Sequence, residues 1–261
     1  MAAPLSQFDV TIAGEINLDL VLDGIGDPMP VARELIASAF RMTLGSSAAI
    51  LAHNLSALGT RVGFATLAAQ DEFSTMALSY LADRKVDLSG VRYSDSPAGS
   101  GVTVVVNHGA TRHILSYLGT APEMSLKHLD IDHLCAARHF HLSSLFLLKG
   151  LQKDLPDLFR KIRQRGLTIS LDTNDDPDDM WGSVLGELLP LIDVLLPNER
   201  ELLRIAGKTT IDEALAAISE KVPLTVVKRG ARGAIVQQGK DRHVVPAAAV
   251  TPVYPIGAGD S

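Results

Sequence analysis

Short, nearly continuous apolar runs alternate along this chain with stretches whose apolar residues recur every three or four positions. Runs of the first kind lie at 8–13, 61–66, 139–142, 167–171, 193–196 and 224–228. They are too short for helices and lack strict alternation, so they read as strands buried on both faces. The intervening stretches have helical spacing. Over 46–58, Leu51, Leu55 and Leu58 share one face, Ser46 or Ser47 can cap the start, and Gly59 can stop the end. Further helices are predicted over 74–85, 199–206 and 211–220. Another is expected where Leu155, Leu158, Phe159 and Ile162 form a stripe ahead of Gly166. Strand and helix in alternation predict an α/β fold with a mostly parallel central sheet and helices on both faces.

Two regions break the rhythm. The β-rich runs 102–107 and 112–118 flank His108, Gly109 and Ala110 and read as a hairpin. Residues 17–22 and 35–44 can supply further strands, separated by a loop marked by Gly24, Gly26, Pro28 and Pro30. Together these pieces predict a small β lid, from about residues 15–44 and 99–119, on a single domain spanning 1–261. A small sheet with one apolar face needs cover, so a homodimer through the lid is expected.

Composition narrows the function. Among 261 residues, 24 Lys and Arg stand against 30 Asp and Glu, a net charge of −6, which disfavours a general nucleic-acid binder. Cys135 is the only cysteine, so no intrachain disulfide and no CxxC metal site can form. No Lys or Arg precedes Arg33, and no apolar run approaches the ~20 residues of a membrane span. A cytoplasmic protein without membrane contact is the expectation.

Several short motifs could carry chemistry. Gly257, Ala258, Gly259 and Asp260 resemble a glycine-rich turn opening a helix, where free N–H groups attract anions. Asn198 and Glu201, just after a strand, are by themselves an N-cap and its dipole partner. His139 and His141 alternate on a strand and read as core or cleft residues, since no third metal ligand is near. His53 reads as packed or surface, and Arg112 and His113 as a solvated hairpin tip. Asp172 and Asn174 sit at a strand's carboxyl end, where open α/β sheets bind ligands. The acids Asp175, Asp176, Asp178 and Asp179 read as a solvated loop.

In order along the whole chain, these motifs resemble the PfkB (ribokinase-like) family of carbohydrate kinases. Gly14, Glu15, Ile16, Asn17, Leu18 and Asp19 look like its N-terminal substrate motif. Gly45 and Ser46, with the helix running to Leu58 and Gly59, look like its first signature. Asp71 and Phe73 stand in a third motif, Asn198 and Glu201 in its Asn-x-x-Glu motif, Lys228 to Ala234 in its nucleotide-side turn, and Gly257 to Asp260 in its second signature.

The resemblance implies a ribokinase-like fold and ATP-dependent phosphorylation of a small sugar hydroxyl. Asp260 would be the base, and the backbone of Gly257, Ala258 and Gly259 the anion hole. Asn17, Asp19, Gly45 and Ser46 would hold the sugar; Lys228, Gly230 and Asn198 would hold ATP; Glu201 and Asn198 would orient Mg2+ through waters. The family also carries a catalytic helix and much of an adenine pocket beyond the point matching Ser261, so truncation would impair catalysis. Ile50 replaces a substrate-binding Asn, and Ala69 and Ser74 replace glycines. Tyr254, Pro255 and Ile256 replace an Asp-Thr-Thr that helps hold a monovalent cation, which implies weak potassium activation. A non-catalytic sugar-binding or dimerisation protein of the same fold is the alternative. A dinucleotide oxidoreductase is disfavoured because no G-x-G-x-x-G follows the first strand.

Overall fold

The computed structural model describes residues 6–108, 111–250 and 257–259. Its strands are β1 (Val10–Ala13), β2 (Asn17–Asp23), β3 (Ala39–Leu44), β4 (Val62–Ala68), β5 (Asp87–Tyr93), β6 (Gly101–His108) and β7 (Thr111–Tyr117). They continue with β8 (His139–Ser143), β9 (Thr168–Asp172), β10 (Val194–Leu195), β11 (Leu224–Lys228), β12 (Ala234–Gln238) and β13 (Asp241–Val245). The helices are α1 (Ser47–Ala57), α2 (Glu72–Asp83), α3 (Ile131–Cys135), α4 (Lys149–Gln152), α5 (Leu155–Gln164), α6 (Ser183–Leu188), α7 (Glu199–Ala206) and α8 (Ile211–Ser219).

Nine strands form one sheet in the order β13-β12-β11-β10-β9-β8-β1-β4-β5, parallel from β11 through to β5, with β12 and β13 antiparallel at one edge. This is the mostly parallel α/β sheet, packed by helices, that the alternation of elements predicts. Neighbouring residues of β1 and β4 enter different apolar clusters: Ile12 and Phe64 pack with α1 and α2, Ala13 and Ala65 with the larger cluster that includes α5 and α8. The four residues of the α5 stripe are fully buried, and Phe140 meets Phe159 edge-on at 6.0 Å between centroids.

One detail of helix α1 differs from the spacing argument. Leu58 is 83% exposed, while Ala48, Ala49 and Ala52 are wholly buried. The helix lies so close to the sheet that a side chain on Gly14 would come within 2.3 Å of the Ala48 methyl, so only small residues fit the buried face. The leucine stripe lies along the flank instead. Helix α2 begins at Glu72, two residues earlier than expected, because the Asp71 carboxylate accepts from the Ser74 amide and caps the turn.

The second sheet runs β3-β2-β6-β7. Asp71 also accepts from the backbone amide of Ser100, tying the start of α2 to the entry of β6. Burial raises the Asp71 pKa, but hydrogen bonds from Ser100, Ser74 and Phe73 outweigh it and the net shift is downward. Among the described residues, no helix is long and apolar enough to cross a membrane.

Candidate functional site

Chain order along the large sheet reverses at β1. From there β4 and β5 extend one way, and β8, β9, β10 and β11 the other. Loops leaving neighbouring strands at such a reversal part in opposite directions and open a crevice at the carboxyl ends. The residues after β1 are Gly14 to Ile16, and those after β8 begin with Ser144. A cleft of about 580 Å³ lies there, roofed by the second sheet.

Asn17, Asp19, Ser46 and Gly257 all line this cleft. Asn17 donates to Thr103 Oγ1 at 2.9 Å and to Asp19 Oδ1 at 3.4 Å, while its own Oδ1 is buried without a hydrogen-bond partner. Gly45 packs under Asp19: a Cβ there would sit 2.2 Å from the carboxylate oxygen. That close approach explains the glycine without any appeal to backbone freedom. Gly257, at φ +75°, faces Ile50, whose Cδ1 would lie 3.0 Å from an added Cβ. Three of the four residues assigned to sugar binding, Asn17, Asp19 and Gly45, thus meet at one wall, with the glycine turn 257–259 near the opening of α1.

Ser46 lies in the same wall with its hydroxyl already engaged. It donates to the Glu15 carbonyl at 2.6 Å and caps α1 through the Ala49 amide. Its φ is +71°. Ser144, at φ +56°, and Asn174, at φ +55°, are likewise left-handed without being glycine. These residues converge: Ser144 donates to Glu15 Oε1 at 2.7 Å, and Asn174 donates to Ser144 at 2.9 Å and to Ser47. Left-handed conformations cost free energy in non-glycine residues and persist where surrounding contacts over-determine them, commonly at ligand sites. Sequence motifs did not single out Ser144; only the register of β8 beside β1 brings it to Glu15.

A second polar cluster adjoins the cleft beyond Asp172, two residues ahead of the cleft-lining Asn174. Lys228, at the end of β11, donates to buried Asp172 at 2.6 Å. Asn198 and Glu201 form a reciprocal cap on α7: the Asn198 amide and side chain donate to the two carboxylate oxygens at 2.8 and 2.5 Å. Burial pushes the Glu201 pKa up to about 7, against the pull of the Asn198 amide and the Lys228 charge. A carboxylate so held fits magnesium as an outer partner that accepts from metal-bound water. Among the described residues, no three acidic, histidine or cysteine side chains converge on one point. Gly230, at φ +56° in the β11–β12 turn, has open space above its α-carbon.

Other candidates fall elsewhere. His53 bonds Asn54 and Arg84 at the surface. His139 and His141 form a ladder with Thr168, Ser170 and Ser143, and burial drops the His141 pKa to about 3. The acidic run is not uniformly solvated. Asp175, Asp178 and Asp179 are exposed in ion pairs, but Asp176 is buried and accepts from the Met180 and Trp181 amides. Arg112 is exposed on β7 yet lines the cleft, because alternation on that strand turns Arg112, Ile114 and Ser116 inward. Asp260 and Tyr254 lie outside the described residues.

Comparison with known proteins identifies the family and the fold. The model of the pfkB family carbohydrate kinases matches residues 7–261. A fructokinase of Klebsiella pneumoniae is 24% identical over 264 residues, covering 97% of this chain and 81% of its own length. A 5-dehydro-2-deoxygluconokinase of Clostridium botulinum is 27% identical over 128 residues, which cover 48% of this chain and 36% of that protein. The structure of Arabidopsis thaliana ribokinase with ribose and ATP superposes with a TM-score of 0.80 at 22% identity, covering 97% of this chain and 82% of that one. With a family match along nearly its whole length, this chain belongs to the pfkB family of carbohydrate kinases.

Proposed function

We propose that the protein transfers the terminal phosphoryl group of ATP to a hydroxyl of a small sugar held between the two sheets. The observation that carries this reading is the convergence of Asn17, Asp19 and Gly257 on one cleft at the sheet's reversal point. The buried, unpartnered Oδ1 of Asn17 is an acceptor for a sugar hydroxyl, and Asp19 supplies carboxylate oxygens beside it. Gly45 keeps that wall thin, and Ser46 holds its shape. Asp260, next in the chain after Gly259, takes the proton from the attacking hydroxyl. The amides of Gly257, Ala258 and Gly259 receive the negative charge that develops on the transferring group.

The nucleotide side is the region of Lys228, Gly230 and Asn198. Lys228 is oriented by Asp172, and the open space over Gly230 leaves room for a ligand against the backbone. Glu201 and Asn198 would orient the waters of a magnesium ion bound with the nucleotide, which would supply charge neutralisation at the phosphate oxygens. The structure of a ribokinase of the same fold in complex with ribose and ATP supports ATP as the nucleotide. The second sheet acts as a lid and pairs with its counterpart in a second copy of the chain, covering Phe40, Leu115 and Tyr117, each more than half exposed.

The test is a panel of sugars with ATP and magnesium, read by ADP release from the full-length protein and its Asp260→Asn variant. At least one sugar is expected to drive release, with kcat at least ~100-fold lower in the variant and sugar affinity little changed. Sugar binding without ADP release, or an Asp260→Asn variant with normal turnover, would reject phosphotransfer through Asp260 and favour a binding protein.

A further inference from the structure

The register of the second sheet sorts the residues of the face toward the cleft into three tiers. Asp19, Thr103 and Ser116 lie abreast, then Val21, Val105 and Ile114, then Asn107 and Arg112, with Asp23 joined to Asn107 by a side-chain hydrogen bond. The first tier is a hydroxyl-binding surface already knit together, with Thr103 and Ser116 hydroxyls 3.2 Å apart. The second is apolar. In the third, the Asp23 carboxylate is taken: it pairs with Arg41 at 2.8 Å and accepts from Asn107 at 2.6 Å. Arg112 therefore finds no acid within its own tier. The acids that line the cleft meet other partners: Asp19 accepts from Asn17, Asp175 pairs with Arg200, and one oxygen of Glu15 accepts from Ser144. Among the described residues, Arg112 is the one Lys, Arg or His lining the cleft, and its side chain makes no hydrogen bond or ion pair with another described residue.

We propose that Arg112 determines substrate class by binding an oxyanion, so that the preferred substrate is a short polyhydroxylated chain carrying a carboxylate or phosphate at the end away from Asn17 and Asp19. This rests on the reading of the cleft as the sugar site. A guanidinium presents two parallel donors that match a carboxylate or phosphate edge to edge. Thr103 and Asn107 are four residues apart on β6, about 13 Å along the strand. The long Arg112 side chain spans part of that distance, leaving a gap suited to a few carbons. A neutral sugar of that size fills the first two tiers and leaves the guanidinium with water alone.

The experiment is calorimetric titration of matched pairs: aldonates against alditols, and ketose 6-phosphates against free ketoses. Each is titrated into the wild type, Arg112→Ala and Arg112→Lys. In at least one pair the anion is expected to bind the wild type at least 10-fold more tightly at low salt. That ratio should collapse toward one in Arg112→Ala, survive in part in Arg112→Lys, and shrink as salt rises. The carboxylate and phosphate arms separate the two sources of the anion. Equal or weaker binding of every anion, no binding in any pair, or a preference that persists in Arg112→Ala would overturn the proposal. The two readings fail separately. Anion-selective binding without ADP release rejects phosphotransfer and keeps the role of Arg112. ADP release with a neutral sugar, unmatched by any anion, keeps phosphotransfer and rejects that role.

Discussion

Every residue of β4 in the large sheet is buried, whereas every residue of β7 in the second sheet is exposed. Both are strands of seven residues in the same chain. Strand β4 lies between β1 and β5 with apolar clusters on its two faces, so its side chains fill fixed volumes. Strand β7 is an edge, hydrogen-bonded on one side to β6, with the cleft on one face. The large sheet thus supplies stability and places the loops at its carboxyl ends. Within the second sheet β7 adds little packing of its own, and the sheet offers its inner face to a ligand.

Substitutions of equal chemistry should therefore have unequal costs. Phe140→Ala, in the large core, is expected to lower stability by about 3–5 kcal/mol, while Leu115→Ala on β7 should cost less than about 1 kcal/mol. Urea unfolding measures both, and similar losses would erase the contrast. Function should show the opposite bias. Asp19→Ala, on the second sheet, is expected to raise the sugar KM roughly 10- to 100-fold, the scale of a lost hydrogen bond to a charged group, with kcat changed far less. A fall in kcat alone would place Asp19 in the chemistry instead of in ground-state binding.

Acid should act on the large sheet. Burial, then the charges of His139 and Lys228, drop the His141 pKa from 6.5 to about 3. The unfolded chain takes up that proton near pH 6.5, and the folded chain does not until about pH 3. Stability is therefore lost as pH falls through this window, by up to about 1.4 kcal/mol per pH unit. Glu201 acts in the other direction. With its pKa raised from 4.5 to about 7, it holds a proton in the folded state across that interval, and stability falls as pH rises through it. Unfolding free energies of a His141→Gln variant should lose slope on the acid side; an unchanged slope would remove His141 as the cause. The second sheet has no buried histidine among its described residues to add to this dependence.

Smaller effects refine the contrast. Asn198→Ala removes the cap of α7 and is expected to cost about 1 kcal/mol in the same unfolding assay. Leu115→Arg should leave the stability of a single subunit within about 0.5 kcal/mol, since the site is exposed. Light scattering of that variant should show a shift from dimer toward monomer. An unchanged mass would exclude the outer face of the second sheet from self-association.

Much of the large sheet was legible in the chain. Elements such as α7 and β11 fall at the expected residues because an Asn cap, a periodic stripe and an apolar run each act locally. Strand β5 was not anticipated, since Asp87, Ser89 and Arg92 give it no buried run; it forms because β4 offers a free edge. Strands β12 and β13 arise likewise by antiparallel addition to the edge of β11. The leucines of α1 misled because a helix pressed on a sheet buries its smallest residues. In the site, the glycine motifs and Asn17 with Asp19 were readable as motifs. Arg112 was read as a hairpin tip, because strand alternation does not say which face looks into a cleft.

The sequence by itself determined the alternation of elements, the caps of α1 and α7 and the family to which the chain belongs, since these rest on residues close together in the chain. Only the tertiary structure decided that Glu15, Ser144 and Asn174 form one network, that Lys228 is tied to Asp172, and that Asp23 is already paired while Arg112 is not. Those contacts join residues from about 18 to 129 positions apart, and their partners are chosen by strand order and register. A one-residue slip in β7 would turn Arg112 out of the cleft, and no local property of the sequence around it would change.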